Sequence, residues 1–223
     1  MKDQARVVAR RLANEFLQRG DSLGWFEALY TEAHGSAQAI QWADMTSNPN
    51  LVSWLEGHAP GGEGRRALVI GCGLGDDAEE LARRGFEVTA FDISSTAIAW
   101  CQKRFPDSAV QYVVADLFDS PPPWKSGFDF VLESYTLQVL PPEVRAQATT
   151  RIAEYVAADG CLLVICRGRS PEEHPGLMPW PLTKEEMELF LRTGLQQVQF
   201  EDYMDQEDPP TRRFRVQYCR SSR

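Results

Sequence analysis

The run ALVIGCGLGDD, residues 67–77, decides the fold. Its first five residues are continuously apolar, the pattern of a short strand covered on both faces. Gly71, Gly73 and Gly75 follow at once. Behind them Ala78, Leu81 and Ala82 fall at helical spacing. A buried strand that turns through glycines into a helix opens a βαβ unit. Working outward, FEVTAFD (86–92) reads as a strand, 94–104 as a helix and AVQYVVAD (109–116) as a strand. After the loop SPPPW (120–124), FDFVLES (128–134) is a strand, and 142–157 is a helix ended by Asp159-Gly160. CLLVICR (161–167) is the next strand. A loop carrying Pro171, Pro175, Pro179 and Pro181 leads to a helix over 183–192 and strands over 195–202 and 212–220. This alternation predicts an α/β, Rossmann-like doubly wound sheet of seven strands, the last two forming an antiparallel hairpin at one edge.

Upstream, 3–19 reads as an amphipathic helix. Asp21 precedes a second helix with Trp25, Phe26, Leu29 and Tyr30 on one face, and 49–56 is a third. GHAPGGEGRR (57–66) is a Gly/Pro-rich break. The expected organisation is one domain: an N-terminal helical cover over 1–60 and an α/β core over 61–223.

The 223 residues carry 23 Lys+Arg against 32 Asp+Glu, a net charge of −9. Such a balance argues against a nucleic-acid protein that grips phosphates over a broad surface, though not against a small nucleotide-like ligand. The five cysteines are odd in number and none has CxxC spacing, which predicts neither a disulfide framework nor a zinc site. The three histidines, His34, His58 and His174, lack metal-ligand spacing, so no metal is expected. No apolar run approaches the roughly 20 residues of a membrane helix. The N-terminus lacks a signal-like apolar core, which makes a cytoplasmic location the default. The expected partner is a small-molecule substrate, with no nucleic acid and no membrane, and the chain a monomer or weak homodimer.

At the carboxyl ends of such strands, glycines let a ligand approach the backbone. Asp92 ends the second strand, 21 residues after Gly71. There a carboxylate accepts from both hydroxyls of a ribose; its plainer role is a helix cap ahead of Ile93. A dinucleotide pyrophosphate wants a third glycine where Asp76 stands, and Asp76 and Asp77 repel it. S-adenosylmethionine carries a sulfonium and an ammonium and no phosphate, so GxGxG followed by acids favours it over NAD. Asp116 ends the third strand. It is placed to accept from an adenine amino group, with Leu117 and Phe118 packing on the ring, or else it merely caps a turn.

GCGLGDDAEELARRGFEVTAFDIS, VVADLFD and FDFVLESYTLQVLPPEVR together resemble the class I S-adenosylmethionine-dependent methyltransferases, over roughly residues 38–220. The resemblance implies strand order 3-2-1-4-5-7-6 with strand 7 antiparallel. QWADMTSNPNLVSWLE and EHPGLMPWPLTKEEMELF are similar to segments of the thiopurine, thiol and halide methyltransferase branch. Leu177 and Met178 stand for that branch's proline pair, and Ala43 separates Trp42 from Asp44. The implied donor contacts are Trp42, Gly71, Cys72, Gly73, Gly75, Asp92, Ile93, Asp116, Leu117, Phe118 and Glu133. Trp42 is placed near the methionine end.

On the acceptor side Glu133, Tyr135 and His174 are the candidate catalytic groups. Glu133 either binds the donor's amino group, orients the acceptor or is a surface acid. Tyr135 lines the pocket or only packs, and His174 is a loop base or simply solvated. Cys72 has no histidine placed to activate it. The expected acceptor is a thiol or other soft nucleophile. The alternatives are an oxygen or nitrogen of a small metabolite, a non-catalytic sensor of S-adenosylmethionine, and an NAD-linked oxidoreductase.

Overall fold

The computed structural model describes residues 2–58 and 61–222. Seven strands form one sheet: β1 Arg66–Ile70, β2 Glu87–Asp92, β3 Gln111–Val114, β4 Phe128–Ser134, β5 Val156–Arg167, β6 Gln196–Met204 and β7 Arg212–Cys219. Their order is β3-β2-β1-β4-β5-β7-β6, the order the resemblance implies. The helices are α1 Lys2–Leu17, α2 Gly24–Glu32, α3 Pro49–His58, α4 Asp76–Arg83, α5 Ser95–Arg104, α6 Pro142–Glu154 and α7 Lys184–Glu188. Among the described residues no helix is long and apolar enough to cross a membrane.

The chain forms two compact units. One comprises the residues up to Gly64 with Gly71–Asp116; the other comprises Arg65–Ile70 with everything from Leu117 on. In the first, β2 and β3 run parallel, with Asp92 opposite Val114. Asp21 Oδ1 accepts from the amides of Leu23 and Gly24 and so turns the chain into α2. Ala9, Leu12, Trp25, Leu29, Tyr30, Leu51 and Trp54 are buried, which accounts for the apolar faces of α1, α2 and α3.

In the second unit β1, β4 and β5 are parallel and apolar through their middles, as strands buried on both faces must be. β7 runs antiparallel to both β5 and β6. Thr183 caps α7 in a capping box with Glu186, so the helix begins where the sequence places it. It then tightens into a 3-10 turn over Leu189–Thr193.

Two expectations are corrected. The α6 helix stops at Glu154, not 157, and β5 begins at Val156. Tyr155 leaves the helix because its carbonyl accepts from the amides of Gly127 and Phe128, while Val156 pairs with Phe128. The cysteines, in turn, are not all reduced. Cys161 and Cys219 are bonded, with Cα atoms 4.1 Å apart. The antiparallel register sets these two residues directly opposite each other, a closeness that their 58-residue separation hides. Cys72, Cys101 and Cys166 remain as free thiols. Thiol titration of the denatured, unreduced protein therefore yields three reactive groups. A yield of all five cysteines of the sequence would exclude the bridge.

Candidate active site

The glycine loop is shaped by backbone geometry that only glycine adopts without strain. Gly71, Gly73 and Gly75 have φ of 57°, 55° and 90°. Cys72 N donates to Phe91 O at 2.8 Å, and Gly75 N to Cys72 O at 3.0 Å. Gly73 N donates to Asp92 Oδ2 at 3.0 Å, and Ser94 N to Asp92 Oδ1 at 2.9 Å. Asp92 thus clasps the loop on one side and the start of α5 on the other. The cap of α5 is Ser94, whose hydroxyl accepts from Ala97 N, so Asp92 is not the helix cap.

Asp92 is 6% exposed, and burial pushes its carboxyl up to about 6 against the pull of these amides. No cation is among the largest influences on it. The Ile93 amide acts on it as well, and a carboxylate has about four acceptor positions, so the group keeps acceptor capacity beyond its three amides. A buried anion with spare acceptor sites and, among the described residues, no salt bridge fits a neutral diol such as a ribose. Ile93, the next residue, is half-buried. Asp116 is half-buried too, two residues past β3, and the amide before it, Ala115 N, donates to Asp92 O at 3.1 Å.

The aromatic cover meets the loop at Gly73. Trp42 Nε1 donates to the Tyr30 hydroxyl at 2.8 Å. A Cβ on Gly73 would lie 3.3 Å from that hydroxyl and 3.6 Å from Trp42 Nε1. Trp42 also packs edge-on to Trp25, with centroids 6.1 Å apart. The Cys101 thiol and burial hold the Cys72 thiol well above its ordinary range, so Cys72 is no nucleophile.

The acids at the start of α4 are occupied. Asp76 forms a two-pronged pair with Arg104 at 2.8 Å, and Arg104 also donates to Leu74 O. Asp77 Oδ1 accepts from Asn48 N at 2.7 Å. The charge argument against a pyrophosphate is therefore carried less by Asp76 than the sequence implies. Glu27, which sequence reasoning passed over, accepts from Ser94 Oγ and Thr96 Oγ1, each at 2.6 Å, and from Thr96 N. An acid on an amphipathic helix gives no local sign of such a partner.

In the second unit the informative group is Glu133, at the carboxyl end of β4. It is fully buried. Its Oε1 accepts from Thr136 N at 2.7 Å and Leu137 N at 2.9 Å. Its Oε2 is buried and, among the described residues, has no hydrogen-bond partner. Burial pushes the carboxyl up to about 7. It is not the surface acid that a strand-end position suggests. Tyr135, two residues on, is half-buried and takes a left-handed φ of 66°. Gln138 pins the following loop: its Oε1 accepts from Arg167 N and its carbonyl from Trp180 N, both at 2.7 Å. His174 lies at the exposed tip of that loop, where Nδ1 accepts from Gly176 N at 3.0 Å. Leu117 is buried, with its carbonyl accepting from the Tyr155 hydroxyl, and Phe118 is half-buried.

A family model described as a methyltransferase domain matches residues 67–160. A ubiquinone biosynthesis O-methyltransferase of Alkalilimnicola ehrlichii is 33% identical over 132 residues, covering 57% of this chain and 51% of the relative. The chain spans about half or less of the length of the curated relatives it matches. A Burkholderia thailandensis 1,6-didemethyltoxoflavin N1-methyltransferase, solved with its substrate and S-adenosylhomocysteine, superposes with a TM-score of 0.67 at 18% identity. The match covers 88% of this chain and 86% of that one. The [4+2]-cyclase SpnF superposes at 0.65 with 16% identity, covering 82% of each chain. Both likenesses concern the fold alone, and the second attaches to a different reaction.

Two outcomes follow from this geometry. A Cβ on Gly75 would sit 2.6 Å from the Tyr112 hydroxyl at a φ of 90°. Gly75→Ala should therefore cost about 1–3 kcal/mol in urea unfolding. For Asp92 the folded pKa lies above the unfolded value, so stability falls as pH rises through about 6. Asp92 should therefore cost the ligand-free protein on the order of 1–3 kcal/mol between pH 4 and pH 8, a slope that urea unfolding across that range should show and that Asp92→Asn, whose side-chain nitrogen cannot accept from a backbone amide, should lack.

Proposed function

We propose that this chain is an S-adenosylmethionine-dependent methyltransferase acting on a small-molecule hydroxyl. The observation that carries the donor assignment is the buried Asp92 hydrogen-bonded into the glycine loop. The methyltransferase family match over 67–160 supports it. In this reading Asp92 receives the ribose hydroxyls, the Gly71–Gly75 backbone lies against the amino-acid portion, and Trp42 covers it. Asp116 receives the adenine amino group beside Leu117 and Phe118, with Cys72 and Ile93 contributing backbone. When bound, the donor supplies a methyl group already activated on a sulfonium.

The acceptor oxygen attacks that methyl in line, the methyl–sulfur bond breaks, and the hydroxyl proton must go to a base. Glu133 is the group suited to take it. Its Oε2 is unpartnered, and its pKa of about 7 matches the working range of a general base. A thiol near its own pKa needs no such base, whereas an alcohol does. The printed names of the relatives, O-methyltransferases, support the same choice. A thiol acceptor, the expectation from branch resemblance, is the second reading. Tyr135 lines the acceptor side. His174, exposed and engaged by Gly176, is left out of the chemistry.

Calorimetry should show binding of S-adenosylhomocysteine and none of NAD; the reverse result would sink the donor assignment. In a radiolabelled methyl-transfer screen over phenols, thiols and amines, phenols should be methylated fastest. Glu133→Gln should lower that transfer by about 10²–10⁴-fold while leaving the affinity for S-adenosylhomocysteine little changed. The wild-type rate should rise with pH through about 7 as Glu133 loses its proton, and the Gln variant should lack that limb.

A further inference from the structure

We infer that Arg213, at the start of β7, is a positioning residue that fixes the Tyr135 ring and thereby shapes the acceptor subsite. The inference rests on the acceptor reading just given and extends it to a residue outside every motif. Arg213 is 2% exposed, a rare state for arginine. Its Nε donates to Asp205 Oδ2 at 2.6 Å and its Nη2 to Glu207 Oε1 at 2.7 Å. Its guanidinium carbon stands 5.0 Å from the centroid of the Tyr135 ring, inside cation–π range. Asp205 is itself fixed, since its Oδ1 accepts from Glu207 N and Thr211 N. The turn between β6 and β7 therefore holds the arginine, and the arginine faces the tyrosine.

Two physical arguments give this chain of contacts a purpose. A buried ion pair is a poor source of stability, because desolvation offsets the attraction and an apolar replacement is often as stable. Its use is to place one group in one position. The residue it faces also needs such placement. Tyr135 carries a left-handed φ of 66°, unfavourable for a side chain with a Cβ, and such strain persists only where the surroundings over-determine it. The backbone supplies one restraint, Tyr135 N donating to Ile165 O at 3.0 Å. Arg213 supplies the second, on the ring.

The test uses the full chain with 3-fluorotyrosine incorporated, the Tyr135 signal being the one lost in Tyr135→Phe. Arg213→Lys keeps the charge but loses the planar fork. In this variant, and in Asp205→Asn should the lysine variant fail to fold, the Tyr135 fluorine line should shift and broaden. That readout needs no acceptor and stands or falls apart from the methyltransferase reading. With catechol as acceptor, Arg213→Lys should raise the acceptor KM by about tenfold or more, with S-adenosylhomocysteine affinity held within about twofold. In a Tyr135→Ala background the same change should add less than about twofold. An unaltered fluorine line in both folded variants would overturn the proposal. So would an equal loss with and without the Tyr135 side chain, since a purely structural role predicts that.

Discussion

The hydrogen bond from Gly73 N to Asp92 is the constraint on which the first unit depends. One carboxylate holds a loop of left-handed glycines and, through Ser94 N, the entry to α5. Neither element would keep this shape alone: the three glycines of the loop have no side chains to pack, and the helix start leaves amides to satisfy. The arrangement carries a cost, because burial of Asp92 outweighs the amides that it accepts from. A group that costs stability while empty-handed is common where binding is the purpose. Glu133 repeats the pattern in the second unit, with one oxygen satisfied twice and the other, among the described residues, not at all.

The acidity of the chain divides accordingly. Asp76 is neutralised by Arg104, Asp77 serves Asn48, Glu27 serves the start of α5, and Glu80 is bound by Arg83 and Arg84. These are structural carboxylates. Asp92 and Glu133 differ in kind, since burial raises both and no side-chain cation is among the largest influences on either. Composition counts all of them alike; only their surroundings separate them.

What the sequence made legible is local. The apolar run into glycines and the alternation of periods locate the seven strands to within a residue or two, apart from the start of β5, and the order of the sheet is the one the family resemblance implies. What it hid depends on register between distant segments. Val156 joins a strand because it lies opposite Phe128. Cys161 and Cys219 meet because β5 and β7 are antiparallel neighbours. Arg213 reads as one more charge in the alternating run RRFRVQYCR, and nothing nearby announces that it is buried against Tyr135. Glu133 was visible as a residue but not as a buried one, because a strand-end acid is ordinarily solvated.

The turn between β6 and β7 has a consequence for how such a protein diverges. Surface turns tolerate substitution and changes of length far better than packed strands. This one holds Arg213 through Asp205 and Glu207. Inheritance can therefore experiment at an exposed corner, leave the sheet intact, and still be felt at the half-buried Tyr135.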